Sequence, residues 1–452
     1  MAITEIPDEV EKRQVDDLFL LVGGNPLPNA VAGRTLLKDG GRIVLVYSDQ
    51  TDDVRRQLKK WFSETLKYRN REATIESKRV EPAEASSVYT ALKNEVGEDA
   101  SVGLHYTGGK KSMAVHAYRG VEDAAQGTPV MSYLDASSLA FHFDPPDPRR
   151  PGGGGKSVYV GDAVNLEVED LLTLHGWTLS RGKPSQRPLM LKTARALLDV
   201  YTGANSAKVI QKWRDWKGKW RGEWIDGTNR QGEARDDLKE REVPLPGSPQ
   251  LEAVAQALRD DLDGAVTTGG QFHEEGFRLD KAADVAGFET VGDFCRWLDG
   301  SWLESIVLEA LQNMSRNKYK MSDMCMGFHL KPARGKEFEF EFDVVALRGY
   351  QLFAFSCTTV TEENRSGSDR GWGRLKGKLF ELYMRARQFG GTEARMALVC
   401  MANDAIGLQR QAQRDIWADD VDEQRLRVFG KHHMDDLSGA IAKWIKSQSG
   451  SA

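Results

Sequence analysis

Apolar runs and amphipathic stretches alternate along the first 180 residues. DLFLLVG (17–23), RIVLVYS (42–48), SVGLHYT (101–107) and PVMSYLD (129–135) are short, nearly continuous apolar runs, which predict buried strands. Between them, DDVRRQLKKWFSETLKY (52–68), EASSVYTALKNEVG (84–97) and GKKSMAVHAYRGVEDAA (109–125) place apolar residues at helical spacing. Strand alternating with helix predicts parallel pairing through crossovers, hence an α/β fold with helices on both faces of an open sheet. HFDPPDPRRPGGGGKSVYVG (142–161) reads as a Pro/Gly-rich turn, residues 186–221 as helical and Trp-rich, and the polar stretch 225–250 as a linker. A second α/β unit begins near residue 283. It predicts helices over 289–314 broken at Gly300, a strand over 336–347, a short turn into a strand over 351–359, a helix over 375–390 and a strand over 394–401. The predicted organisation is therefore an α/β domain over 1–180, a mostly helical connection over 181–284, and a second α/β domain over 285–452.

Composition changes this picture little. The 62 Lys and Arg against 67 Asp and Glu give a net charge of −5, which excludes a globally basic nucleic-acid coat. Cys295, Cys325, Cys357 and Cys400 stand far apart with no CxxC pair, against a disulfide framework or a thiolate zinc site and in keeping with a reducing cytoplasm. The acidic N-terminus does not read as a signal peptide, and no run approaches the ~20 apolar residues of a membrane span. A cytoplasmic protein with no membrane partner is expected.

Chemistry is concentrated in a few places. GGGGKS (152–157) resembles the end of a P-loop, but Arg150 stands where that pattern needs glycine and no strand leads in. HYTGGKKSM (105–113) is stronger, because a strand ends there and a helix begins. Gly108 and Gly109 let backbone N–H groups approach a ligand, Thr107 offers a hydroxyl, and Lys110 and Lys111 can reach phosphate oxygens. The first strand ends similarly in VGGNPLPNAVAG (22–33), with amides at Asn25 and Asn29. Both loops lie at carboxyl ends of predicted strands, where open parallel sheets bind ligands, so an anion or nucleotide is expected there.

GGNPLPN, HYTGGKKSM and the later LLTLHGW give residues 15–178 a resemblance to the sensor (CARF) domain of CRISPR-associated ancillary nucleases. The resemblance implies a Rossmann-like domain that pairs as a homodimer and binds a cyclic oligoadenylate, cyclic tetra-adenylate rather than hexa-adenylate, as activator. It implies that Asn25, Thr107, Gly108, Gly109, Lys110 and Met113 line the messenger site, with Ser48 and Asp49 following the second strand.

The C-terminal unit resembles the restriction-endonuclease-type PD-(D/E)xK core of the CARF-linked nucleases. WLE (302–304), EFDVVALRGYQLFAFS (341–356) and KLFELYMRARQFGG (378–391) carry that likeness. It implies a divalent cation, magnesium or manganese, held by Glu304 and Asp343 with Glu341 on the same strand face, since hard cations take oxygen ligands. Where the family has Glu-x-Lys, this chain reads Ser356-Cys357-Thr358. Lys376 or Lys378, at the start of the next helix, is the candidate to return an ammonium to the site, and Glu362, Glu363 or Asp369 to replace the acid. Arg370, Arg374, Arg385 and Arg387 make a local basic patch suited to a nucleic-acid substrate. Two other functions follow from the same residues: a ligand-binding regulator that has lost catalysis, and a ring nuclease that cuts its own messenger.

Overall fold

The computed structural model describes residues 5–67, 73–144, 155–181, 183–227, 239–268, 275–317, 319–334, 338–361, 370–416 and 425–446. Its N-terminal sheet contains β1 (Val15–Leu21), β2 (Leu37–Tyr47), β3 (Thr74–Arg79), β4 (Val102–His105), β5 (Val130–Asp135), β6 (Ala140–Phe143) and β7 (Lys156–Tyr159). The order is β3-β2-β1-β4-β5-β6-β7. β3 through β5 are parallel, and β6 and β7 add an antiparallel edge, so part of the expected turn over 142–161 is strand. Strand order reverses between β1 and β4, which makes their carboxyl ends the topological switch point of the sheet. β1 is buried along almost its whole length because its side chains meet helices on both faces.

β8 (Trp177–Arg181) leaves this sheet and pairs with the edge of the second one. The connection expected to be mostly helical also holds a small antiparallel sheet of β9 (Glu242–Pro244), β10 (Val266–Thr268) and β11 (Glu275–Arg278). Its long helix, Ser206–Gly227, buries Trp213, Trp216 and Trp220. The Trp216 indole donates to the Pro244 carbonyl at 2.8 Å, so these rings build a core rather than a contact surface.

The second sheet adds β12 (Asp323–Pro332), β13 (Phe340–Arg348), β14 (Gln351–Thr358), β15 (Arg395–Cys400) and β16 (Leu426–Phe429), in the order β16-β15-β14-β13-β12-β8. Helix Trp302–Asn317 covers one face, and helix Arg370–Gly390 packs on β14 and β15. Residues 291–317 form one rod that a turn of π-helix at Trp297–Ser301 interrupts, around the Gly300 where the sequence predicts a break. One hydrophobic core runs through both sheets, joining Leu20, Leu45 and Phe141 to Tyr350, Leu352 and Leu379. The two α/β units therefore share packed side chains as well as a chain connection.

Candidate active site and candidate ligand loops

β13 and β14 meet in antiparallel register, Val344 opposite Phe355, which brings Asp343 beside Ser356. The Ser356 hydroxyl donates to Asp343 Oδ2 at 3.1 Å and the Cys357 N–H to the same oxygen at 2.6 Å. On the neighbouring strand the register steps from Met326–Val344 to Phe328–Phe342, leaving Gly327 between them at φ +63°. A Cβ there would sit 3.7 Å from Glu304 Oε2. Glycine therefore allows the left-handed backbone beside the carboxylate of the first turn of helix Trp302–Asn317.

Burial, reinforced by the negative charges of Asp343 and Glu341, holds the Glu304 carboxyl well above the usual carboxylate range. Asp343 is also raised by burial, with the Lys378 ammonium as the strongest opposing influence. These two acids repel each other in a cleft where water screens little.

Lys378 reaches this cleft because of helical spacing. Lys378, Glu381, Leu382 and Arg385 fall on one face of helix Arg370–Gly390, and with Glu341, Asp343 and Ser356 they line a cavity of about 130 Å³. Lys376 faces elsewhere and pairs with Asp415 at 2.5 Å. The structure thus brings one of the two candidate lysines to Asp343 and directs the other away. Arg385 stands in the cleft wall, 4.5 Å from the centroid of the Phe340 ring. Arg387 is turned onto Tyr383, donating to its hydroxyl at 2.6 Å, and Arg374 is exposed. The side chain of Arg370 and residues 362–369, including Glu362, Glu363 and Asp369, lie outside the described residues. Among the described residues, no three Asp, Glu, His or Cys side chains are grouped as a metal site.

The glycine loops sit together at the switch point. A Cβ on Gly108 would lie 2.1 Å from the Leu21 carbonyl oxygen, so glycine is what lets the second loop rest against the end of β1. A Cβ on Gly109 would lie 3.5 Å from the Met113 sulfur, and Lys110 and Lys111 are exposed at the start of helix Lys111–Ala124. Other predicted ligand groups are committed to the fold. Asn29 donates to the Leu21 carbonyl at 2.9 Å, and Ser48 caps the short helix Asp49–Thr51. Asp49 pairs with Arg79. Thr107 Oγ1 accepts the Leu134 N–H at 2.6 Å and lies 2.9 Å from His105 Nε2, whose imidazole burial drives down to about 3. Asn25 reaches out of its own unit: its Nδ2 donates to Glu393 Oε2 at 2.8 Å, in the turn that follows helix Arg370–Gly390.

The family described as Card1-like, endonuclease domain matches residues 292–447. The C-terminal unit is thus similar to Card1-like endonuclease domains. The whole chain is also similar in fold to two solved structures. One is protein VC1899 from Vibrio cholerae, 15% identical over 96% of this chain and 99% of that one, with a TM-score of 0.65. The other is Can2 from Sulfobacillus thermosulfidooxidans in complex with cyclic tetra-adenylate, 15% identical over 97% and 99%, with a TM-score of 0.60. No curated protein sequence matches. Within the C-terminal unit, Glu381 and Ser301 also belong to the cleft, although neither stands out by itself in the sequence as a site residue. The first was legible as three residues beyond Lys378, the second as three before Glu304, whose carboxylate it bonds.

Proposed function

We propose that this chain is a cyclic-oligoadenylate-activated, metal-dependent nuclease of type III CRISPR defence, working as a homodimer on DNA or RNA. The observation that carries the reading is Lys378, an ammonium supplied from a helix to the Asp343–Glu304 cleft of a Card1-like endonuclease domain that lacks Glu-x-Lys. Asp343 and Glu304 would hold a magnesium or manganese ion. Their donors are oxygens only, and magnesium commonly takes one or two carboxylates with water and substrate phosphate completing its shell. Bound there, the ion would polarise the phosphate and acidify a water.

The chain's own groups divide the remaining work. Ser356 and the Cys357 N–H hold the Asp343 carboxylate in one orientation. Lys378 and Arg385 bind the scissile phosphate and stabilise the charge that grows on it as water attacks and the P–O bond breaks. The glycine loops bind the messenger through backbone N–H groups and Lys110 and Lys111. The Asn25–Glu393 bond carries the change to the end of the helix that bears Lys378.

A catalytically silent regulator is favoured only by Ser356-Cys357-Thr358. Incubation of plasmid, single-stranded DNA and RNA with manganese, with and without cyclic tetra- or hexa-adenylate, separates the readings. Activator-dependent cutting is expected. Tight activator binding with no cutting of any substrate would overturn the nuclease.

A further inference from the structure

The cleft has two chambers that meet at Glu341. The smaller contains Asp343 and presents both cations, Lys378 and Arg385. The larger, about 310 Å³, is lined by Glu304 together with residues of the helix Val291–Arg296 and the π-helical turn. That volume lies at the lower end of small-molecule pockets.

Acids dominate the larger chamber. Glu289, Asp293 and Glu341, beside the raised carboxyl of Glu304, face Lys183, Arg296 and His329; the Arg296 guanidinium is already bonded to Asp293, and His329 Nε2 lies 3.6 Å from Glu341. A phosphate would be repelled here and drawn to the cationic chamber instead. The wall also carries the half-buried Phe288 ring, braced edge-on against Phe294 and Trp297 at centroid distances of 5.6 and 6.2 Å. An aromatic ring beside carboxylate acceptors suits a neutral, flat ligand with N–H donors.

We propose that this chamber is a nucleobase subsite that takes an amino-bearing base, cytosine or adenine, from the strand whose phosphate lies at Asp343. The inference rests on the nuclease reading for the identity of that strand. The base stacks on Phe288, and its exocyclic amine donates to Glu289, as carboxylates accept from cytosine N4 in nucleic-acid complexes, while both Asp293 oxygens are already taken by Thr290 and Arg296. A base held this way has left its stack, so the preferred substrate is single-stranded.

Two measurements on the full chain test the proposal, with Phe288→Ala and Glu289→Gln as variants. Glu289 is exposed and accepts one N–H, from Lys183 at 3.2 Å, so its amide replacement keeps the fold even if Phe288→Ala does not. The first measurement is binding of cytidine and uridine, by ligand-observed NMR, which needs neither activator nor cleavage. Cytidine should bind more tightly than uridine; Phe288→Ala should weaken it about ten-fold, and Glu289→Gln should remove the preference. The second is sequencing of the ends cut from a random single-stranded oligonucleotide pool with activator and manganese. A base bias at one position beside the cut should collapse in both variants. Cytidine selectivity without any cutting would sustain the subsite and defeat the nuclease reading. Cutting with equal cytidine and uridine binding, or a selectivity and bias that Glu289→Gln leaves intact, would overturn the subsite.

Discussion

Replacing Asn25 with alanine tests the junction between the glycine loops and the C-terminal unit. Glu393 is fully buried, and its carboxylate takes the Asn25 amide at 2.8 Å with the Thr392 hydroxyl at 3.3 Å on the same oxygen. Losing a hydrogen bond to a buried charge costs about 1.5–3 kcal/mol. Asn25 Oδ1 also accepts the Leu27 N–H at 3.2 Å, a neutral bond contributing roughly 0.5–1.5 kcal/mol. The expected destabilisation is therefore about 2–4.5 kcal/mol at neutral pH. Burial already raises the Glu393 carboxyl, and the Asn25 amide is the foremost group holding it down, so the variant raises it further.

The pH dependence follows from that direction. A carboxyl raised on folding contributes stability that is present below its unfolded value of 4.5 and lost as pH rises through the folded value. Asn25→Ala should thus cost more near pH 8 than near pH 5, because the lower pH protonates more of Glu393 and a protonated carboxyl tolerates the missing donor better. Urea unfolding of the two single variants Asn25→Ala and Glu393→Gln and of the double variant isolates the pair. The coupling should be about 1.5–3 kcal/mol near pH 8 and smaller near pH 5. A coupling below about 0.5 kcal/mol, or one equal at both pH values, would refute the assignment of a charged bond across this junction.

Three further outcomes follow. Lys378→Met should slow cleavage by about 10²–10³-fold and move the acid limb of the pH–rate profile upward, because Lys378 is the strongest influence lowering Asp343; a rate within ten-fold of wild type, or an equal loss in Lys376→Met, would contradict it. Glu304→Gln should abolish cleavage, yet flatten the fall in melting temperature between about pH 5 and about pH 8, because it removes a raised, buried carboxyl whose stabilisation is lost as pH rises; calorimetry at both pH values reads this. Gly108→Ala, whose Cβ would meet the Leu21 carbonyl at 2.1 Å, should separate the glycine loops at a cost of about 1–3 kcal/mol and weaken cyclic tetra-adenylate binding, measured by calorimetric titration.

Much of the fold was legible because neighbouring residues carry it. The runs 17–23 and 42–48 became β1 and β2, and the alternation around Asp343 became β13 with Glu341 and Asp343 on one face. β3 (TIESKR) escaped notice because a polar edge strand has no apolar run, and β12, broken by Gly327, has no clean alternation. The cleft was legible in part. Glu304 and Asp343 were visible as acids in apolar surroundings, whereas the choice between Lys376 and Lys378 was not.

By itself the sequence determined which segments are strands and helices, where glycine must sit at strand ends, and which acids stand on a buried face. Those are local properties, set by periodicity and backbone sterics within a few residues. Only tertiary structure decided which lysine meets Asp343, since the two lie about 200° apart on one helix and the docking of that helix on β14 selects between them. It likewise decided that Asn25, read as a ligand group, is bonded to Glu393 some 368 residues away. Partners so distant in sequence are chosen by how the two sheets pack on their shared core, and no local pattern encodes that.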